Sequence, residues 1–192
     1  MRNINIIIVG VGGQGALLAS KILGRVGMKK NYDVKVSEVH GMSQRGGSVV
    51  TYVRFGEKLH SPIVEKGQAD IILAFEELEA LRWIEYLNEK GIVIVNTEKI
   101  YPLPVIIGKE KYPDNIIDSI KSVCKNTISL DCLKICKKYK NMKISNMVIL
   151  GAFSRVMDIE KELWIQSIKE TVPQRFLDIN MKAFEEGRME NL

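Results

Sequence analysis

The run NIIIVGVGGQGALLASKILGRV, residues 5–26, decides the fold class. Its first five residues are apolar and β-branched after Asn5 and do not alternate with polar ones, the pattern of a strand covered by helices on both faces. The glycines Gly10, Gly12, Gly13 and Gly15 follow. Ala16, Leu17, Ala19, Ile22, Leu23 and Val26 then recur with a helical period. Strand, glycine turn and helix form the first half of a βαβ unit. Gly10, Gly12 and Gly15 also satisfy GxGxxG directly after a strand and before a helix, the context that gives the pattern meaning. In such a turn the first glycine permits a tight bend, the second lets a phosphate approach the backbone, and the third lets helix and strand pack closely. Free amides at the helix start favour an anion. A turn of this kind can equally serve packing alone, and these residues leave both open.

Outward from this run, residues 34–38, 48–55, 70–75 and 92–96 read as strands, and residues 76–87 as a helix with acids in its first turn. Residues 105–107 and 127–130 read as short strands. Helices are expected at 115–124, 146–156, 160–171 and 177–186. Strands alternating with helices imply an α/β fold, three-layer α/β/α and Rossmann-like, around a mostly parallel sheet. Without repeats or a low-complexity linker, residues 1–192 read as a single domain. The stretch 146–156 (NMVILGAFSRV) is apolar around much of its circumference, and Gly151 allows a close approach. It reads as a core helix or as a surface for a partner.

Composition narrows the function classes. No apolar run approaches the roughly 20 residues of a membrane span, and the N-terminus lacks the cationic start and cleavage site of a secretory signal, so a cytoplasmic protein is expected. Cys124, Cys132 and Cys136 form no CxxC pair, and His40 and His60 are not one helical turn apart, so no metal site is expected. The net charge is +5, but basic residues are interspersed with acids, which argues against nucleic acid. Lys134, Lys137, Lys138, Lys140 and Lys143 are the exception, either a solvated helix face or a docking patch for an acidic partner.

A second polar loop spans residues 40–47 (HGMSQRGG). An arginine can grip a phosphate or carboxylate with two hydrogen bonds, and glycines let backbone amides join it. If strand 34–38 lay beside strand 5–9, both loops would leave the same carboxyl edge and share an anion-binding crevice. Arg45 could instead pair with Glu38. That glutamate is also the acid that a dinucleotide site needs for ribose hydroxyls. A stand-alone NAD(P)- or flavin-dependent oxidoreductase and a nucleotide-sensing module therefore stay open. His40 is assigned to the site's edge without a chemical role.

Taken together, GVGGQG at 10–15, SEVHGMSQRGGSV at 37–49, VR at 53–54, SP at 61–62 and AFEELEALR at 74–82 resemble one family. It is the gamma-type subunit, or domain, of the pyruvate and 2-oxoacid:ferredoxin oxidoreductases. IVIVN at 92–96 and NMVILGA at 146–152 are compatible with it. The wording HGMSQRGG is most similar to the small (beta) subunit of the indolepyruvate branch. The resemblance implies a complex in which an aryl 2-oxoacid such as indolepyruvate, coenzyme A and oxidised ferredoxin give an aryl-acetyl-CoA, carbon dioxide and reduced ferredoxin. It implies a large (alpha) partner subunit carrying thiamine diphosphate and iron–sulfur clusters, because this chain has no thiamine-binding GDG segment and too few cysteines for a cubane cluster. No catalytic residue and no cofactor of its own are expected. Gly10, Gly12, Gly13, Gln14 and Gly15, with Ser43, Gln44, Arg45, Gly46 and Gly47, would touch the anionic part of coenzyme A or the rim of the partner's active site.

Overall fold

The computed structural model describes residues 3–40 and 46–190. Six strands, β1 (Ile4–Val11), β2 (Asp33–His40), β3 (Ser48–Gly56), β4 (Ala69–Ala74), β5 (Leu87–Asn96) and β6 (Thr127–Leu130), form one sheet in the order β2-β3-β1-β4-β5-β6. The helices are α1 (Ala16–Lys29), α2 (Glu77–Trp83), α3 (Leu103–Ile106), α4 (Ile116–Val123), α5 (Cys132–Lys138), α6 (Ser145–Val156), α7 (Lys161–Thr171) and α8 (Gln174–Met189). Among the described residues no helix is long and apolar enough to cross a membrane.

The unbroken apolar strands are explained by cover on both faces. In β1, Ile6 and Ile8 face one core with α1 and α5 to α8, while Ile7 and Val9 face the other with α2 and α4. β4 repeats this, with Ile71 and Leu73 on the first side and Ile72 and Ala74 on the second. Successive strand residues point to opposite faces, so a sheet sandwiched between helices needs apolar residues at every position. The larger core is centred on Trp164, edge-to-face with Phe153 and stacked on Phe184.

The strand order departs from the simplest expectation. β2 does not lie beside β1, because β3 is inserted between them, antiparallel to both. Two reversals restore the direction, so β2 runs the same way as β1 and its carboxyl end still emerges at the same sheet edge. β4, β5 and β6 continue parallel from β1.

Local expectations are corrected at several places. The segment expected as a strand at 105–107 lies largely in the short helix α3, where Pro102 and Pro104 withhold ladder donors and the Pro102 carbonyl accepts from the amides of Val105 and Ile106. The helix expected over 76–87 stops at Trp83, and after one 3-10 turn β5 begins at Leu87. Helix α5, capped by the Asp131 carboxylate on the Lys134 amide, was not assigned from the sequence. Helix α6 is buried along residues 145–154 and packs on α8, so it is a core helix and not a partner surface.

Candidate functional site

Three loops meet at the carboxyl edge of the sheet. β1 and β3 pair up to Val11 opposite Ser48, which places the start of β3 against the glycine turn. The Gly12 amide donates to the Gly47 carbonyl at 2.9 Å, joining the turn to the end of the second polar loop. Gly13 (φ 104), Gly15 (φ 88) and Gly46 (φ 75) occupy the left-handed region that side chains disfavour. Gly15 precedes α1 without a side-chain cap, and no acid occupies the helix's first turn, so its positive end is uncompensated by side chains. A cleft of about 370 Å³ opens there, lined by Val11, Gly12, Gly13, Gly15, Ala16, Leu17, Val49 and Glu38. The Glu38 carboxylate also accepts from the Thr51 hydroxyl at 3.2 Å.

The expected site residues divide into four groups. Gly12, Gly13 and Gly15 line the cleft. Gly10 and Gln14 do not line it and instead hold the edge together. Gln14 Oε1 accepts from the Val11 amide at 2.8 Å, and its Nε2 donates to the Phe75 carbonyl at 2.8 Å and to Glu98 at 3.3 Å. A Cβ on Gly10 would lie 2.8 Å from Gln14 Oε1 and 3.0 Å from Phe75, so this glycine makes room for the cross-tie. Gly15 likewise makes room for Asn146, whose Nδ2 donates to the Gly15 carbonyl at 3.3 Å. Gly46 and Gly47 lie beside the turn, while Ser43, Gln44 and Arg45 lie outside the described residues.

The start of α2 contributes what the sequence did not disclose. Glu76, Glu77 and Glu79 are all buried. Glu76 caps the helix by accepting from the Glu79 amide at 2.8 Å, and it also accepts from the Tyr112 hydroxyl at 2.6 Å and the Ile100 amide at 3.2 Å. Glu79 accepts from the Ser48 hydroxyl and from Arg82 at 2.9 Å. Ser48 follows directly on the second polar loop, so a buried carboxylate fixes that loop's exit. Acids in a first turn read as dipole complements; the available sign of burial was their placement among Ala74, Phe75, Leu78, Ala80 and Leu81.

Burial raises the Glu79 carboxyl above the ordinary range, outweighing Ser48 and Arg82, and burial likewise raises Glu77 against the pull of Lys99. A raised folded-state value means that the folded chain binds this proton more tightly than the unfolded one. Stability from this source is therefore full below the unfolded value and declines as pH rises through the folded one. Replacing Glu79 by Gln should flatten that decline, read as the urea midpoint between about pH 4 and 7. An unchanged slope would count against an ionised, desolvated Glu79.

The cleft thus offers backbone amides at a helix start beside one carboxylate. It suits a ligand presenting an anion to the amides and a hydroxyl or N–H to Glu38. The family model described as pyruvate ferredoxin/flavodoxin oxidoreductase matches residues 5–190. The chain belongs to this family. It is 41% identical to the indolepyruvate oxidoreductase subunit IorB of Thermococcus kodakarensis, over 97% of this chain and 95% of that one. It is 39% identical to IorB of Methanothermobacter thermautotrophicus, over 96% of both. Among solved structures, the pyruvate oxidoreductase subunit PORC of Thermotoga maritima shares the fold with a TM-score of 0.73 at 22% identity, over 99% of this chain and 97% of that one. The 2-oxoglutarate:ferredoxin oxidoreductase of Magnetococcus marinus, solved with 2-oxoglutarate, coenzyme A and succinyl-CoA, matches with a TM-score of 0.74 at 17% identity. That match covers 98% of this chain and 31% of the other, so the same fold there is one part of a longer chain.

Proposed function

We propose that this chain is the small subunit of an indolepyruvate-type 2-oxoacid:ferredoxin oxidoreductase, active only with its large subunit in the cytoplasm. The observation that carries this reading is the 41% identity to IorB over nearly the whole of both chains. The reaction is the oxidative decarboxylation of an aryl 2-oxoacid to an aryl-acetyl-CoA, with ferredoxin as acceptor. When bound in the large subunit, thiamine diphosphate and iron–sulfur clusters supply the decarboxylation and the electron path. This chain's own residues do not fit a cluster. Cys124, Cys132 and Cys136 are buried thiols, burial pushes Cys136 up to about 11 and raises Cys132 well above the ordinary thiol range, and a cluster ligand must be a thiolate.

Coenzyme A fits the cleft better. The Gly13 amide and the open end of α1 can hold its phosphates, with Arg45 as the cation, while Glu38 can accept from a hydroxyl or amide of its arm. Holding the arm places the thiol for attack without any proton transfer by this chain. In the assembled enzyme Arg45→Ala should raise the KM for coenzyme A by about tenfold and leave the KM for indolepyruvate unchanged. An unaltered KM for coenzyme A removes Arg45 from the role.

The large subunit also needs a face to meet. Tyr101, Leu103, Ile106 and Ile107 are exposed on the segment around α3, with Leu103 and Ile106 67% and 68% accessible. Glu76 ties this segment to the carboxyl edge through Ile100 and Tyr112. A cluster of apolar side chains of this kind is characteristic of an interface, and its tie through Glu76 to the start of α2 supports the large subunit as the partner that covers it.

Co-purification with the large subunit, followed by coenzyme A-dependent reduction of methyl viologen with indolepyruvate, tests the whole reading: activity in the complex and in neither chain alone is expected. The second reading, a stand-alone nicotinamide or flavin enzyme, draws on Glu38 lining the cleft. It is weakened by β3, which sets β2 two strand spacings, about 10 Å, from β1. Turnover of NAD(P)H by this chain alone would establish it.

A further inference from the structure

Charge is unevenly placed in this molecule. Residues 131–144 hold five lysines against one acid, Asp131, so net +4 of the chain's +5 lies in this short stretch. Several lysines and arginines elsewhere meet carboxylates: Arg25 and Lys29 with Glu170, Lys30 with Glu160, Lys66 with Glu85, Lys161 with Glu185. Within the stretch Lys138 is paired, with Glu186. Lys134, Lys137, Lys140 and Lys143 are exposed and make no ion pair among the described residues.

The backbone fixes these four into one surface. Lys134, Lys137 and Lys138 share the outer face of α5, opposite the buried Cys132, Ile135 and Cys136. The helix then ends in a tight turn, with Lys140 at φ 50 donating its amide to the Lys137 carbonyl and Asn141 donating to the Cys136 carbonyl. Lys143 follows on a 3-10 turn beside Met142, which is 52% exposed. Helix α5 itself carries no acid between Cys132 and Lys138, like charges at this spacing repel, and an acidic partner relieves that repulsion.

We infer that this lysine surface on α5 and the turn after it is a docking patch for the acidic face of the small electron-carrier protein that accepts the complex's electrons. The inference rests on the reading under Proposed function. The family's description joins ferredoxin and flavodoxin, an iron–sulfur protein and a flavoprotein of unlike shape; a surface that receives either must read negative charge, which such carriers share. The electrons need no path through this chain. The patch raises the rate of encounter between the carrier and the complex, and that contribution is screened by salt.

The test uses the assembled complex carrying K134E, K137E, K140E and K143E together. At low ionic strength the KM for ferredoxin should rise by about tenfold, while the rate with methyl viologen, a small cationic dye that needs no docking, stays unchanged. Added salt should raise the KM of the unaltered complex toward that of the variant. An unchanged KM with viologen activity intact overturns the patch. So does loss of assembly by a variant whose circular dichroism is native, since the lysines then serve the large subunit. If the reversal prevents folding, the four-fold Lys→Gln variant is read by the same criteria with a smaller rise. An unaltered complex that reduces neither acceptor overturns the parent reading and this surface with it.

Discussion

Replacing Gly151 by Leu should prevent the chain from folding, and Gly151→Ala should lower its melting temperature by about 10 °C, equivalent to about 3 kcal/mol in a chain of this size. A Cβ on Gly151 would lie 2.1 Å from the Phe184 carbonyl oxygen and 3.0 Å from the Arg188 amide, both backbone atoms of α8. The contact is reciprocal, since a Cβ on Gly187 would lie 2.0 Å from the Val148 carbonyl oxygen of α6. Neither helix can yield by a rotamer change, so the helices must separate, and separation opens the core around Trp164 and Phe153. Gly24→Ala is the control. Its nearest neighbour would be Val36 Cγ2 at 4.0 Å, so the higher helix propensity of alanine should add about 0.5–1 kcal/mol. Equal melting temperatures for the two variants would mean that α6 and α8 are not in backbone contact.

Local periodicity carried most of the fold, and the exceptions have physical causes. β1 and α1 were legible because the apolar run, the glycines and the 3.6-residue period agree over residues 5–26. The insertion of β3 between β1 and β2 was not, because strand order is set by tertiary pairing, which neither sequence shows by itself. The segment at 105–107 has β-branched residues, but Pro102 and Pro104 decide its backbone locally. At the site, GxGxxG located the turn, yet it could not tell a ligand-facing residue from a cross-tie. Gln14 belongs to the second kind only because Phe75 and Glu98, more than 60 residues away in sequence, accept from it. The glutamates of α2 were visible as acids and hidden as buried acids, because a carboxylate is held inside by partners such as Ser48, Ile100 and Tyr112 that lie on other elements.

The double variant L103D/I106D should fold normally and fail to assemble with the large subunit. Both side chains are among the most exposed apolar groups of the molecule, so their loss removes no core contact and folding stability should change by less than about 1 kcal/mol. Docked against a partner they would be desolvated, and a carboxylate forced into that environment has no counter-charge supplied for it. Central apolar anchors are typically worth about 2 kcal/mol or more each, so two charges should weaken association by well over a hundredfold. Size-exclusion co-elution of the subunits reads this directly, and coenzyme A-dependent viologen reduction should fall in step. Val36 and Val39 supply the comparison, being 44% and 50% exposed on the edge strand β2. V36D/V39D should leave assembly intact if the partner sits over α3 and the carboxyl edge. The reverse pattern, with the β2 variant failing and the α3 variant assembling, would move the large subunit to the edge of the sheet, where the outer side of an edge strand with exposed valines is itself a template for pairing.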